Sequence, residues 1–158
     1  MTIAIRRVVT GHDDQGKAIV LFDEQSPHTR SNREGHQSCV IWSTESFPTD
    51  NSGNDDGAAR ATGSTDPNGT VFRIVRYDPG VAPRNHRTDS IDYAVVMSGE
   101  IDMELDGTTV RLRAGDILVQ RGTVHNWINR GTEPCTIAFV LVAARPVERG
   151  GKLLRAMG

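Results

Sequence analysis

A histidine and an acid stand six residues apart between two glycines: His86 and Asp92, framed by Gly80 and Gly99. This spacing would gather one imidazole and one carboxylate inside a small β-barrel. A second imidazole follows in the stretch His125-Asn-Trp-Ile-Asn129. Imidazoles and carboxylates are the side chains that ligate divalent metals or move protons near neutral pH. Side chains on one face of a strand recur every second residue, so His86 and Thr88 point the same way, as do His125, Trp127 and Asn129. The same parity puts Tyr93 on the face opposite Asp92 and sends Arg87 and Asp89 outward, unless a bulge in Asp89-Ser90-Ile91 re-aims them.

The elements that must hold these residues read as short strands. Val71–Tyr77 and Ile101–Leu105 alternate apolar and charged residues, the period-two pattern of half-buried strands. Asp106-Gly107 between two such runs predicts a hairpin, because a tight turn needs positive φ and glycine supplies it without steric cost. Further turn signals fall at Asp78-Pro-Gly80, Ser98-Gly99, Ala114-Gly-Asp116, Arg121-Gly122 and Arg130-Gly131. The run from Cys135 to Ala144 is apolar nearly throughout and predicts a strand buried on both sides; its β-branched content and the flanking Pro134 and Pro146 argue against a core helix. Many short strands at this spacing predict a sandwich or barrel.

Gly80, His86, Thr88, Asp92 and Gly99, read together with Gly115, Gly122, His125 and Asn129, resemble the two paired motifs of the cupin superfamily. Thr88 stands where the first motif has a second histidine, Asp92 where it has a glutamate, and Gln120 where the second motif has a proline. The resemblance implies an all-β fold, an antiparallel jelly-roll barrel over residues 71–145 with an N-terminal strand extension. It implies that His86, Asp92 and His125 converge as a three-ligand set for a divalent ion, whether iron, zinc, nickel or manganese. Asp92 and Thr88 are then the candidate catalytic residues, Thr88 holding a metal-bound water or orienting a ligand, while Thr88, Trp127 and Gln120 are candidates for the substrate pocket. The competing reading is that both imidazoles are hydrogen-bonded core histidines. Asn129 reads as a structural hydrogen-bonder to a turn.

The chain of 158 residues is long enough to bury a core, and its formal net charge of −2 gives neither a nucleic-acid footprint nor a polybasic membrane patch. No apolar run has the length of a signal peptide or a membrane span, so a cytoplasmic protein is expected. Cys39 and Cys135 sit in or beside apolar strand candidates and read as small buried thiols. Residues 1–43 contain strand-like pieces at Ile3–Val9, Ala18–Phe22 and Ser38–Ser43, an arm that packs on the barrel or crosses to a partner in a homodimer. Residues 44–70 are dense in Gly, Asp, Asn, Ser and Thr and predict a flexible loop, either a plain surface loop or a lid over the barrel mouth. Residues 146–158 read as a solvated tail with at most a turn or two of helix after Lys152. Three functions stay open: metal-assisted decarboxylation, dehydration, isomerisation or cyclisation of a small oxygenated molecule; an iron-dependent dioxygenase; and a non-catalytic binding module.

Overall fold

The structure, a computed structural model, describes residues 2–158. Its strands are β1 (Arg6–His12), β2 (Ala18–Gln25), β3 (Thr29–Arg33), β4 (His36–Thr44), β5 (Thr70–Tyr77), β6 (Ser90–Ser98), β7 (Glu100–Leu105), β8 (Thr108–Arg113), β9 (Ile117–Arg121), β10 (Asn126–Ile128), β11 (Cys135–Ala143), β12 (Val147–Arg149) and β13 (Lys152–Leu154). A six-stranded antiparallel sheet in the order β3-β4-β5-β11-β6-β9 faces a three-stranded sheet in the order β10-β7-β8. The described residues form no helix, and so none long and apolar enough to cross a membrane.

The inner face of the large sheet follows from register. Ile137, Phe139 and Leu141 of β11 lie opposite Val75, Arg73 and Val71 of β5, and opposite Val96, Ala94 and Asp92 of β6. Most of these positions carry apolar side chains and are fully buried, and they meet Ile101, Met103, Leu112 and Trp127 from the facing sheet in one core. At about 1.5–3 kcal/mol for each fully buried large apolar side chain, this layer holds the two sheets together. The polar exceptions on the same face, Arg73, Asp92 and Gln120, stand out against it. Gly99 allows the sharp entry into β7: its φ is 74°, and an added Cβ would lie 2.4 Å from the Pro134 carbonyl oxygen.

The outer face of β11 is only half-buried, short of the two-sided burial expected from its composition. What covers it in part is the N-terminal arm. Ile3 and Ile5 pack with Cys39, Ile41, Ile74 and Ala138 on the outside of β4, β5 and β11. Arg7 is 3% exposed, donates to both Asp56 and Glu24 and to the Ile41 carbonyl, and lies 4.9 Å over the Phe22 ring. Both cysteines are buried and free, and burial pushes the Cys135 thiol up to about 11.

Residues 44–70 run over the surface but are fixed at several points. Ala58 packs against Val40 and Val71, Arg60 pairs with Glu45 and Asp66, and Asp56 receives Arg7 and His28. The C-terminal segment differs from the expected tail or helical turn. Arg149 and Lys152 flank Gly150-Gly151, both at positive φ, and this two-residue turn closes the hairpin β12–β13. Met157 then pairs with Arg87 beside the first motif.

Candidate functional site

His86 and His125 face each other across a single antiparallel bridge. Each backbone N–H donates to the other's carbonyl, at 3.0 and 2.9 Å, and the ring centroids lie 4.2 Å apart. Each ring is oriented the same way: His86 Nδ1–H donates to the Arg84 carbonyl at 3.0 Å and His125 Nδ1–H to the Thr123 carbonyl at 2.9 Å. These bonds fix the tautomer and leave both Nε2 lone pairs unclaimed. Burial pushes His86 down to about 4, helped by the neighbouring His125, and burial also lowers His125. Both rings are neutral at pH 7.

Asp92 occupies the inward face of β6, 4% exposed, paired in register with Gln120 on one side and Leu141 on the other. Three residues two apart along this segment form a relay: Thr88 Oγ1 and Ser90 Oγ are 2.8 Å apart, and Ser90 Oγ donates to Asp92 Oδ1 at 2.5 Å. Burial raises the Asp92 carboxyl above its usual range, opposed by the Ser90 bond and the charge of Arg73. Gln120 is buried, with Nε2 3.3 Å from the Met103 sulfur and Oε1 without a partner. Trp127 is 2% exposed in the core, 5.9 Å from His125 and 5.8 Å from Tyr77, so it forms a wall of the site. Tyr93 lies half-exposed on the outer face, as parity requires. Asn129 donates to the Tyr77 and Glu133 carbonyls and accepts from the Gly131 N–H, which makes it the lock of a turn.

The donor set bears directly on a metal. The imidazole pair presents Nε2 as ligating histidines do, their outer nitrogens held by carbonyls. Among the described residues, however, no group of three or more His, Cys, Asp or Glu side chains is gathered closely enough to hold an ion. His86 and His125 come together, and Asp92, which accepts from Ser90 through Oδ1, is not gathered with them into a three-ligand group. Thr88, at the position that would supply another imidazole, spends its hydroxyl on Ser90. Two nitrogen donors fall short of the three protein ligands of a catalytic divalent site.

A family model described as cupin domain matches residues 73–142. Over 156 residues the chain is 38% identical to the cupin-domain-containing oxidoreductase fogC of Aspergillus ruber, covering 92% of this chain and 76% of the relative. The chain is a cupin. Over 90 residues it is also 51% identical to phomopsin biosynthesis cluster protein C' of Diaporthe leptostromiformis, covering 56% of this cupin and 48% of that protein. Among solved structures, a protein with a double-stranded β-helix domain from Klebsiella pneumoniae superposes with a TM-score of 0.51 at 21% identity, covering 74% of this chain and 84% of that one. That likeness bears on the fold alone.

The cupin interior also contains residues that motif spacing did not single out. Arg73 shares the inward face with Val71, Val75 and Tyr77, where a charged residue is not expected. His36, 7% exposed and edge-on to Tyr77 at 5.5 Å, is pushed down to about 4, by burial first and then by Arg33, Arg73 and Arg84. Its Nδ1 has no partner. Inward parity with Ser38 and Val40 is the signal that would have marked it, had β4 been extended two residues toward its start. A cavity of about 620 Å³ lies elsewhere, between the arm, β4 and residues 44–60, and contains neither imidazole of the pair.

Proposed function

We propose that this cupin is an enzyme that moves a proton on a small oxygenated organic molecule without oxidising it, in lyase or isomerase chemistry. The observation that carries the reading is the imidazole pair: two neutral rings with both Nε2 lone pairs unclaimed, in the same interior as a buried carboxyl of raised pKa. A base that is neutral at pH 7 and an acid kept less acidic than usual are the two partners that proton transfer next to a carbonyl needs.

In the proposed step, one imidazole Nε2 takes the proton from the carbon adjacent to a carbonyl. The C–H electron pair moves to form the enol double bond, the carbonyl π pair moves to its oxygen, and Asp92 delivers a proton there. Ser90 donates to the carboxyl and to the carboxylate it becomes, and Thr88 holds the Ser90 hydroxyl in place. In isomerisation of a 2-hydroxy carbonyl compound the imidazolium gives its proton to the former carbonyl carbon while the hydroxyl on the first carbon returns a proton to Asp92 and becomes the new carbonyl; in dehydration the imidazolium protonates the hydroxyl that leaves the next carbon as water while the enol O–H returns its proton to Asp92 and the carbonyl re-forms. The Coulomb effect of Arg73 favours the ionised Asp92 that forms when it gives up its proton.

The test is hydrogen–deuterium exchange at the α-carbon of small 2-oxo acids in D2O, followed by proton NMR with chelator-treated protein. The expected result is exchange that survives chelation and falls by about 100-fold in His125→Gln and in Asp92→Asn. A second reading, an iron-dependent dioxygenase, is favoured by the oxidoreductase name of the Aspergillus relative. Turnover that consumes oxygen and requires ferrous iron would replace the first reading with the second. We further take the cupin to be a cytoplasmic homodimer. Its two free buried thiols suit a reducing compartment. The half-exposed Tyr93, Val95, Met97, Ile117 and Val119 on the outer face of β6 and of the edge strand β9 suit contact with a second copy. Sedimentation of wild type against Met97→Glu tests the dimer.

A further inference from the structure

A cavity of about 400 Å³ opens at the β3–β4–β5 end of the barrel, and four arginines line it: Arg30 and Arg33 from β3, Arg73 from β5, and Arg84 from the link before His86. Among the other arginines, Arg7 is paired with Asp56 and Glu24, Arg111 and Arg130 with Asp102, and Arg60 with Asp66, while exposed ones such as Arg121 and Arg149 are left to solvent. Among the described residues none of the four cavity arginines has such a carboxylate. Two are tethered to backbone carbonyls, Arg30 to Thr62 at 3.2 Å and Arg33 to Ala82 at 3.0 Å, and Arg84 reaches the main-chain oxygen of Gly158 at 2.7 Å. The two peptide-carbonyl bonds aim the Arg30 and Arg33 guanidinium groups without cancelling their charge. The fourth, Arg73, has a buried Nε with no partner at all.

A cation taken out of water without a counter-ion destabilises the fold, so an uncompensated cluster signals a ligand that supplies the missing charge. The neighbouring titratable groups do not supply it. His36, His86 and His125 are neutral, Tyr77 is pushed up to about 12 by burial and remains protonated, and Asp92 is the one carboxyl among the charges acting on Arg73. The planar guanidinium fork matches a carboxylate through two parallel N–H donors. The arginines arrive from three separate segments, which suits anionic groups at both ends of a molecule. The helix N-termini that commonly cradle phosphate are absent among the described residues.

We propose that this cavity binds a small organic molecule with at least two carboxylate groups, held by Arg30, Arg33, Arg73 and Arg84, as the substrate class of the active site. The inference rests on the reading that the barrel interior is catalytic: the cavity lining contains none of His86, Asp92 and His125, and what joins it to them is the charge of Arg33, Arg73 and Arg84 acting on those groups. The probes are succinate, butyrate, dimethyl succinate and inorganic phosphate at matched ionic strength, with binding to the full chain followed by calorimetry and thermal melting. Succinate is expected to bind about tenfold or more tighter than butyrate, with no binding of the dimethyl ester. Arg73→Met is expected to melt at the same or a higher temperature than wild type without ligand, yet to lose the succinate-induced shift; a merely structural arginine would lower the unliganded melting point instead. Arg30→Gln, at an exposed position that folding tolerates, is expected to weaken succinate binding by about threefold. Absence of binding by every carboxylate, equal binding of succinate and its ester, indifference to both substitutions, or phosphate binding tighter than any carboxylate would each overturn the inference. Succinate binding without proton exchange on any 2-oxo acid leaves the inference standing and ends the proton-transfer reading. Exchange on an uncharged ketone without succinate binding does the reverse.

Discussion

Lowering the pH should unfasten this barrel from the inside before it touches the surface. His36 is buried against Tyr77, and its pKa is pushed from 6.5 down to about 4, chiefly by burial and then by Arg33, Arg73 and Arg84. In the unfolded chain the ring takes up a proton near pH 6.5, whereas the folded ring resists it until about pH 4, so the unfolded state binds more protons throughout that window. Stability is therefore complete above pH 6.5 and is lost as pH falls toward 4. At about 1.4 kcal/mol per pH unit the full shift corresponds to roughly 3 kcal/mol. Allowing half for water that reaches the arginine-lined cavity leaves about 1.5 kcal/mol from His36 alone. The carboxylates held low by arginine, Asp56 and Asp102, titrate below this window and do not contribute within it. The assay is urea unfolding at several pH values between about 7 and 4.5, comparing wild type with His36→Gln. Wild type should lose stability on acidification, and the variant should lose about 1.5 kcal/mol less. Equal slopes for the two proteins would refute the account of a neutral, charge-excluding His36.

Other consequences can be read out separately. Thr88→His places another imidazole on the inward parity of His86, and stoichiometric zinc or nickel by elemental analysis is expected where wild type has substoichiometric metal; an unchanged metal content would mean that position 88 does not face the pair. Arg7→Met leaves Asp56, Glu24 and the Ile41 carbonyl without their buried donor, and a loss of about 3 kcal/mol in urea unfolding is expected. Asp102→Asn removes the carboxylate shared by Arg111 and Arg130 and should cost about 2 kcal/mol at pH 7 by the same measurement, with the difference vanishing at a pH low enough to protonate it.

Much of this architecture was legible because it obeys a period of two. His86 and His125 were found by motif spacing, Tyr93 and Asn129 by parity and chemistry, and the β7–β8 hairpin by Asp106-Gly107. The arginine cluster was not legible, for a physical reason. Parity puts Arg73 on the face of Val71 and Val75, but charge in an alternating strand is ordinarily read as the solvent side, and the pairing of β5 with β11 shows that this face is the inner one. Arg33 and Arg84 come from segments without strong periodicity, and only the fold brings them near His36. The closing hairpin was overlooked although Gly150-Gly151 is a turn signal, because the arginines around it suggested a solvated tail. The three-ligand set expected from spacing depends on where side chains point, and among the described residues Asp92 is not gathered with the imidazole pair.

Residues 44–70 contribute Thr62, Gly63 and Ser64 to the rim of the arginine cavity, while their fastenings lie to either side, at Asp56 and Ala58 before and at Asp66 after. A Cβ added at Gly63 would have nothing nearer than the Thr65 carbonyl at 3.8 Å, and its φ is not in the left-handed region. The rim thus behaves as an exchangeable cassette: side chains can be grafted at position 63 and its neighbours without disturbing a sheet hydrogen bond or a core contact. A lineage, or a designer, can retune which molecules fit this barrel by rewriting a few surface codons while the cationic floor beneath stays constant.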